Sequence, residues 1–338
     1  MASRRDLTGK ETSYLYNEYG LPEKVIDNGM EAAIYDYTPD GKIAGVTSGE
    51  LRSTYAYDAE GSLQTLTTML GDELLVSNSY SYDYNGNCVR KETLTGVTEY
   101  SYDCMNRLEQ AVYPHGMEQY SYDYADNRIS MEQFEQLDTE RKQTKSVQYE
   151  YDERNRLVRS IMQDATVPNA EAVIAEYSYD QQGNMLSDDK AEYSYDAFNR
   201  MEKAQRHDGQ TQINRYDAEG LRHEMEENGR LVQFLYSGKE VVAETESNGN
   251  IIRYIRGLGL VCSDSEQAKT YYHYASDEMG SITHVVDKTT VLNRYEYDAF
   301  GNTTVCEEQV ANRFRCHRPV LSQSKILQPS HRALPAGG

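Results

Sequence analysis

Residues 80–87 read Tyr-Ser-Tyr-Asp-Tyr-Asn-Gly-Asn, and this phrase returns along most of the chain at intervals of about twenty residues. Clear copies, in which Tyr-x-Tyr-Asp is followed by a turn containing Gly or Asn, also start at Tyr100, Tyr120, Tyr149, Tyr177, Tyr193 and Tyr295. Weaker copies start at Tyr14, Tyr35, Tyr55, Arg215 and Phe234. A repeat of this length indicates an array of one supersecondary unit, because a single copy cannot bury its apolar face without neighbours.

The pattern predicts that the repeated unit is a β-hairpin. Tyr80 and Tyr82 are two residues apart, so in a strand their rings lie on one face, where aromatic cross-strand pairs stabilise a sheet. Asp83 and Gly86 supply turn chemistry, since Asp caps local backbone and Gly tolerates positive φ. Short apolar alternation then resumes, as in residues 107–113. We therefore expect an all-β fold of tandem hairpins forming a long spiralling sheet.

In this interpretation the tyrosines, aspartates and glycines of the clear copies are structural residues. They are Tyr80, Tyr82, Asp83, Gly86, Tyr100, Tyr102, Asp103, Tyr120, Tyr122, Asp123, Tyr149, Tyr151, Asp152, Tyr177, Tyr179, Asp180, Gly183, Tyr193, Tyr195, Asp196, Tyr295, Tyr297, Asp298 and Gly301.

The amino-acid composition agrees with a β-protein whose aromatic side chains are partly exposed to solvent. Thirty Tyr stand against five Phe and no Trp, so most aromatic rings carry a hydroxyl that needs a hydrogen-bond partner. The net charge of −21 opposes nonspecific binding to nucleic acid or to an anionic membrane. No apolar run is long enough to span a bilayer, and the first residues contain no signal-peptide core. The sequence thus predicts neither a membrane span nor a signal peptide.

The cysteines do not form a recognisable metal or disulfide pattern. Cys88, Cys104, Cys262, Cys306 and Cys316 are odd in number, widely spaced and include no CxxC pair. We expect free or buried thiols, no metal site and no cofactor.

Candidate catalytic motifs are each better explained by structure. Residues 223–227, His-Glu-Met-Glu-Glu, resemble the zinc-protease motif HExxH but lack its second His, so a solvated hairpin tip is favoured. Several aspartates could pair as acid and base, yet turn capping already explains those in the repeats. These candidates are Asp103, Asp152, Asp188, Asp189 and Asp196.

Two further motifs are equally weak. Gly257-Leu258-Gly259 lacks the third glycine and the helix of a phosphate-binding loop. Asn302-Thr303-Thr304 is a formal glycosylation acceptor, but it lies within the repeat phrase. We therefore expect that the chain is not an enzyme.

The repeat phrases, together with residues 271–282 (YYHYASDEMGSI) and 295–302 (YEYDAFGN), resemble bacterial RHS proteins of the wall-associated and polymorphic-toxin type. The resemblance covers residues 14–315, and 1–13 form a lead-in. It implies a hairpin strip wound into a hollow shell that encloses a toxic C-terminal polypeptide until delivery. It also implies secretion or cell-surface display of intact relatives, some of which act in surface adhesion or insecticidal complexes.

The chain departs from this family after residue 312. Similar proteins close with a phrase like RARYYDPxxGRFxxxDP, whereas residues 313–338 hold five Lys or Arg, no acid and three of the seven prolines. Back-translation of residues 322–338, read one base later, spells ARARFYNPVIGRFLQE. We hypothesise that residues 316–338 are a disordered tail translated out of frame.

These observations predict a non-enzymatic structural shell fragment of an RHS-repeat toxin. The resemblance implies two partners, an enclosed C-terminal toxin and cell-wall or surface glycans. Two alternatives stay open: a carbohydrate-binding or adhesive surface module, and the remnant of a nuclease-type toxin that has lost its catalytic domain. An array without end caps leaves unpaired strand edges, so self-association is also expected.

Overall fold

The computed structural model describes residues 2–137, 140–265, 267 and 269–314. The described residues form thirty β-strands and no helix. The strand order follows the chain within each of two sheets, and the strands form antiparallel pairs, as where Ala2 pairs with Tyr14 and Tyr295 with Cys306. The predicted all-β fold of tandem hairpins is therefore confirmed. The proposed tail at 316–338, with Cys316, lies outside the described residues.

The first sheet contains sixteen strands. They are β1 Ala2–Arg5, β2 Glu11–Tyr16, β3 Pro22–Asp27, β4 Met30–Tyr37, β5 Ile43–Ser48, β6 Leu51–Tyr57, β7 Leu63–Leu70, β8 Glu73–Tyr82, β9 Cys88–Thr93, β10 Gly96–Tyr102, β11 Leu108–Tyr113, β12 Gly116–Tyr122, β13 Arg128–Leu137, β14 Glu140–Tyr151, β15 Leu157–Asp164 and β16 Val173–Glu176.

The second sheet contains fourteen strands. They are β17 Ser178–Tyr179, β18 Met185–Ser187, β19 Ala191–Tyr195, β20 Met201–Arg206, β21 Thr211–Tyr216, β22 Arg222–Glu227, β23 Arg230–Ser237, β24 Glu240–Glu246, β25 Ile251–Arg256, β26 Leu260–Ser265, β27 Thr270–Ser276, β28 Ile282–Asp287, β29 Thr290–Tyr297 and β30 Thr303–Glu308.

A β-bulge accompanies each repeat phrase. In the copy at Tyr120, Ser121 pairs with Ser130 and Tyr122 pairs with Arg128, so Ile129 is the extra residue on the returning strand. The same shift occurs before Tyr82, Tyr102, Tyr151, Tyr179, Tyr195 and Tyr297. Bulges increase the local right-handed twist, so each repeat adds twist to the sheet at the same point.

The described residues divide into two compact units, each with its own core. The first unit comprises residues 2–95 and 234–314. Its core joins strands of both sheets: Val25, Ala33 and Tyr35 pack with Ile255 and Cys262. A second cluster contains Leu51, Leu70, Ala275 and Val286. In this unit two sheet faces bury each other's apolar side chains, as in other two-layer β-structures.

The second unit comprises residues 96–233 and has more local clusters. Val147, Tyr149 and Leu157 form one of them, and all three lie on the neighbouring strands β14 and β15. Ala191, Tyr193 and Ala204 form another on β19 and β20. Burial in this unit comes mainly from repeats that adjoin in sequence, as expected for a repeat array.

Candidate functional site: the tyrosine ladder and the Arg253 cluster

The turn after each repeat phrase is organised by its aspartate. Asp152 Oδ1 accepts hydrogen bonds from the backbone N–H groups of Arg154 (2.8 Å) and Arg156 (3.0 Å). Asn155 donates its N–H to the Asp152 carbonyl oxygen at 3.0 Å and has a φ of 57°. Positive φ favours Gly, Asn or Asp, which explains the residue types at this turn position. Its other occupants include Gly86, Asn106, Asp126, Gly183, Asn199 and Gly301.

The residue that ends the turn connects one repeat to the next. Arg156 Nε donates to Asp152 Oδ2 at 2.7 Å, and this bond lowers the pKa of Asp152. The same guanidinium lies 4.9 Å from the ring centroid of Tyr179 and donates to the Asp180 carbonyl oxygen at 3.2 Å. Arg107 and Arg200 make the corresponding contacts in their own repeats.

In most of the repeats the second tyrosine adds another link, and we call this series of bonds the tyrosine ladder. Tyr151 Oη donates to the Arg128 carbonyl oxygen at 2.9 Å. Arg128 is the strand partner of Tyr122, so each bond spans from one repeat to the phrase before it. Equivalent bonds are made by Tyr37, Tyr57, Tyr82, Tyr122, Tyr179, Tyr216 and Tyr297. Burial is the main cause that raises the pKa of Tyr122 and Tyr179 to about 12, so these hydroxyls stay protonated donors at neutral pH.

The residues predicted to be structural occupy three distinct environments. The first tyrosines Tyr80, Tyr120, Tyr149, Tyr193 and Tyr295 are buried, and Tyr100 and Tyr177 are half-buried. The second tyrosines, Tyr82, Tyr102, Tyr122, Tyr151, Tyr179, Tyr195 and Tyr297, are half-buried. The turn aspartates Asp83, Asp103, Asp123, Asp152, Asp180, Asp196 and Asp298 each bind backbone N–H groups of their own turn.

The candidate catalytic aspartates are engaged in hydrogen bonds of this kind. Asp103, Asp152 and Asp196 each accept a hydrogen bond from Nε of the arginine that lies four residues later in the chain. The buried Asp188 accepts from the Tyr193 hydroxyl at 2.9 Å and from two backbone N–H groups of its turn. Asp189 follows it at the exposed tip of the same hairpin.

The remaining motifs also lie in ordinary structural positions. His223 lies in strand β22 and not at a hairpin tip, because the tip comes later, at Asn228 and Gly229. The Gly257–Gly259 turn rests on Tyr35, whose hydroxyl oxygen accepts the N–H of Leu258 at 3.1 Å. Asn302 donates its side-chain amide to Asp298. Of the described cysteines, Cys104, Cys262 and Cys306 are free thiols, and Cys88 donates its S–H to the Arg90 carbonyl oxygen at 3.4 Å.

A buried ion cluster in the first unit was not predicted from the sequence. This Arg253 cluster consists of Arg253, Asp6, Asp27, Asp264 and Lys10. Arg253 donates to both carboxylate oxygens of Asp27, at 2.8 and 2.6 Å, and to Asp264 at 3.0 Å. It also pairs with Asp6, and Lys10 pairs with Asp264. The partners are up to 254 residues apart, so no local pattern could have revealed them.

The electrostatics of the Arg253 cluster favour the charged forms of Asp27 and Asp6. Burial alone would raise the pKa of Asp27, but hydrogen bonds from Arg253, Thr12 and Tyr271 outweigh it, and the pKa is lowered. The pKa of Asp6 is lowered in the same way by Thr8 and Arg253 against the effect of burial. A desolvated arginine is therefore matched by carboxylates, as buried charges require.

A second polar link in the first unit has different electrostatics. Glu278 accepts hydrogen bonds from the Tyr80 hydroxyl at 2.6 Å and from Lys91 Nζ at 2.7 Å. The adjacent Asp277 caps its turn through the N–H groups of Met279 and Ser281. Burial, and then the neighbouring Glu278 carboxylate, raise the pKa of Asp277 to about 6. This turn therefore contains a carboxyl group that titrates near neutral pH.

In the described parts of the chain, no group of three or more His, Cys, Asp or Glu side chains is arranged to hold a metal ion. The same residues contain no helix of the length and apolarity that crossing a bilayer requires.

The fold and the ladder define a protein built from stacked Tyr-Asp hairpin repeats. Residues 7–309 match the family model described as Teneurin YD-shell, and the chain belongs to this family. The resemblance to RHS and YD-repeat proteins predicted from the repeat phrases is thus confirmed.

Similar curated proteins are bacterial. The tRNA3(Ser)-specific nuclease WapA of Bacillus spizizenii is 28% identical over 300 residues, which cover 78% of this chain and 12% of that protein. The tRNA nuclease WapA of Bacillus subtilis (strain 168) is 32% identical over 167 residues, covering 46% of this chain and 7% of that protein. The chain therefore spans only a small fraction of the length of these relatives.

Solved structures support the same fold. The Tc holotoxin pore of Photorhabdus luminescens matches with a TM-score of 0.64 and 14% identity, over 93% of this chain and 18% of that one. A crystal structure of TcdB2-TccC3 matches with a TM-score of 0.63 and 14% identity, over 91% and 18%. At this identity the likeness establishes the fold alone.

Proposed function

We propose that this chain is a non-enzymatic wall segment of a toxin shell, which in the intact protein encloses a C-terminal toxin until delivery outside the cell. The observation that carries this proposal is that the polar side chains of the repeats form hydrogen bonds within their own repeat or with the adjoining one. Tyr151, Asp152 and Arg156, for example, bind the backbone or side chains of their own or adjoining repeats. The family and the Tc structures are consistent with such a wall.

The proposed enclosure of a C-terminal toxin is tested with the intact protein. We would sequence the coding DNA onward from the codon for Asn312 and produce the protein that the whole gene encodes. In limited proteolysis, a C-terminal segment should survive in the native protein and be cut after the shell is unfolded. Cleavage at the same rate as in the isolated segment would overturn the proposal, and so would a gene with no further segment.

The non-enzymatic role is tested separately, because curated relatives are named as tRNA nucleases. The present chain, incubated with total tRNA, should leave the RNA intact, while the whole-gene product serves as the comparison. Cleavage by the chain alone would show that the repeats carry the active site.

Carbohydrate binding is a second candidate, favoured by one observation. The rings of Tyr124 and Phe198, both at turn tips of the second unit, are largely exposed to solvent. Exposed rings at such positions can stack on sugars, whereas the ladder tyrosines are half-buried and bonded. Tyr124→Ser should weaken binding of N-acetylglucosamine oligomers, while Tyr151→Phe should leave it unchanged. Equal loss in both variants would argue against a site at the tip.

A further inference from the structure

One strand within the second unit has an open edge. β16 (Val173–Glu176) is the last strand of the first sheet and pairs with β15 through Met162 and Val173, and through Ile161 and Ile174. The next hairpin is short: β18 and β19 meet at a tip of Asp188 to Lys190, and β18 pairs with β17. Among the described residues, no strand pairs with the other edge of β16.

The backbone of β16 presents hydrogen-bonding groups at this edge. Tyr177 donates its N–H to the Val158 carbonyl oxygen of β15 at 3.0 Å. The backbone N–H and C=O groups of successive residues point alternately to the two sides of an antiparallel strand. Those of Val173, Ala175 and Tyr177 therefore point toward β15. Ile174 therefore directs its N–H and C=O outward. Unpaired groups of this kind form a template for an added strand.

The side chains at the edge are apolar at the centre and acidic at the ends. Val173 is 56% exposed and Ile174 is 48% exposed, on opposite faces of the strand. Glu171 and Glu176 flank them and are exposed. Asp189 is exposed at the neighbouring hairpin tip. Two cations lie nearby, Lys190 at the same tip and Arg159, the strand partner of Glu176 on β15, so the acidic groups of the edge outnumber the basic ones by one.

We propose that the open edge of β16 binds an extended peptide segment with apolar residues at its centre and Lys or Arg at its ends. The backbone edge supplies main-chain hydrogen bonds, and Val173 and Ile174 supply apolar area on both faces. Glu171 and Glu176 select basic ends. A second copy of this chain fits less well, because each copy has a net charge of −21 and the two would repel each other.

The test uses the whole chain and a fluorescein-labelled peptide, Lys-Val-Thr-Val-Thr-Val-Lys. Fluorescence anisotropy should show saturable binding that weakens at high ionic strength and is weaker for the peptide with Glu at both ends. Ile174→Pro removes the outward N–H but no bond to β15, and Pro is tolerated on edge strands, so the fold should persist by circular dichroism. Binding should fall at least about tenfold.

Ile174→Thr separates the two contributions of this residue, because it retains the outward N–H and the β-propensity of the strand but removes apolar area. It should weaken binding by about threefold, less than Ile174→Pro does. Absence of binding, equal binding of the Glu-ended peptide or full binding to the folded Ile174→Pro variant would each overturn the proposal. Dimerisation of the chain that Ile174→Pro abolishes would assign the edge to a second copy instead.

Discussion

Asp27 has no exposed surface, and Arg253, 226 residues further along the chain, donates to both of its carboxylate oxygens. Asp27 ends β3 of the first sheet, and Arg253 lies in β25 of the second. The two sheets of the first unit are thus joined by a buried bidentate ion pair as well as by apolar packing. Such geometry is directional, so the pair specifies which strands face each other.

Removing the cation of this pair should be strongly destabilising. Arg253→Met leaves Asp27 buried without its partner, and we expect a loss of about 3–5 kcal/mol in the free energy of unfolding, measured by urea denaturation. Arg294→Met is the control, because Arg294 pairs with Glu296 and Glu307 at the surface, and its loss should cost about 1 kcal/mol or less. Equal effects of the two variants would contradict a special role for the Arg253 cluster.

The locations of the turns could be predicted from the sequence because their causes are local. Asp152 caps backbone groups two and four residues later, and Asn155 occupies the positive-φ position of the same turn. The Arg253 cluster could not be predicted, because strand alternation tells which face a side chain occupies but not which distant strand covers that face. The bulges could not be predicted from the sequence for a different reason. The extra residue, such as Ile129, lies on the returning strand, outside the repeat phrase.

Replacing Asp277 by Asn should remove a pH dependence of stability. The folded pKa of about 6 lies above the ordinary value of 3.8, so Asp277 contributes stability that is complete below pH 3.8 and is lost as pH rises through about 6. Asn keeps an oxygen for the N–H groups of Met279 and Ser281 but carries no charge. The variant should therefore be more stable than the wild type at pH 7.5, by on the order of 1–2 kcal/mol, and lose this advantage toward pH 4.

Melting temperatures of both proteins across this pH range check the prediction. Asp298→Asn, at the same turn position in the last clear repeat, is the matched control, since Asp298 is bonded by Asn302 in its own turn. A difference between wild type and Asp277→Asn that does not change with pH would show that the Asp277 charge does not control the stability of this turn.

The tyrosine ladder should be measurable one hydroxyl at a time. Tyr151→Phe removes the bond to the Arg128 carbonyl oxygen without changing the ring, and we expect it to cost about 1 kcal/mol. Hydrogen exchange should quicken mainly in the two repeats that the bond connects, because repeat arrays are stabilised by neighbouring units. Tyr84→Phe is the control, since this ring is fully exposed at a turn tip. Uniform acceleration of exchange over the whole second unit would contradict local coupling.

The contact between Tyr35 and the glycine turn offers a steric test with a built-in control. A Cβ on Gly257 would lie 1.9 Å from the Tyr35 hydroxyl oxygen, whereas a Cβ on Gly259 meets nothing within 4 Å. Tyr35 is buried and its hydroxyl binds Leu258, so Gly257→Ala must displace the ring or the turn. We expect Gly257→Ala to cost about 1–3 kcal/mol in urea denaturation and Gly259→Ala less than about 0.5 kcal/mol.

A double variant separates the steric clash from other effects of the substitution. Tyr35→Phe removes the oxygen nearest to the new Cβ, although the ring carbon that carried it, 2.8 Å away, remains too close. The combined variant should therefore be more stable than the sum of the two single losses predicts, by about 0.5 kcal/mol or more. If the losses in the free energy of unfolding were strictly additive, the Tyr35 ring and the turn at residue 257 would not be in steric conflict. The Tyr35 contact would then not be what requires glycine at position 257, and the cost of Gly257→Ala would have to arise in the turn backbone itself.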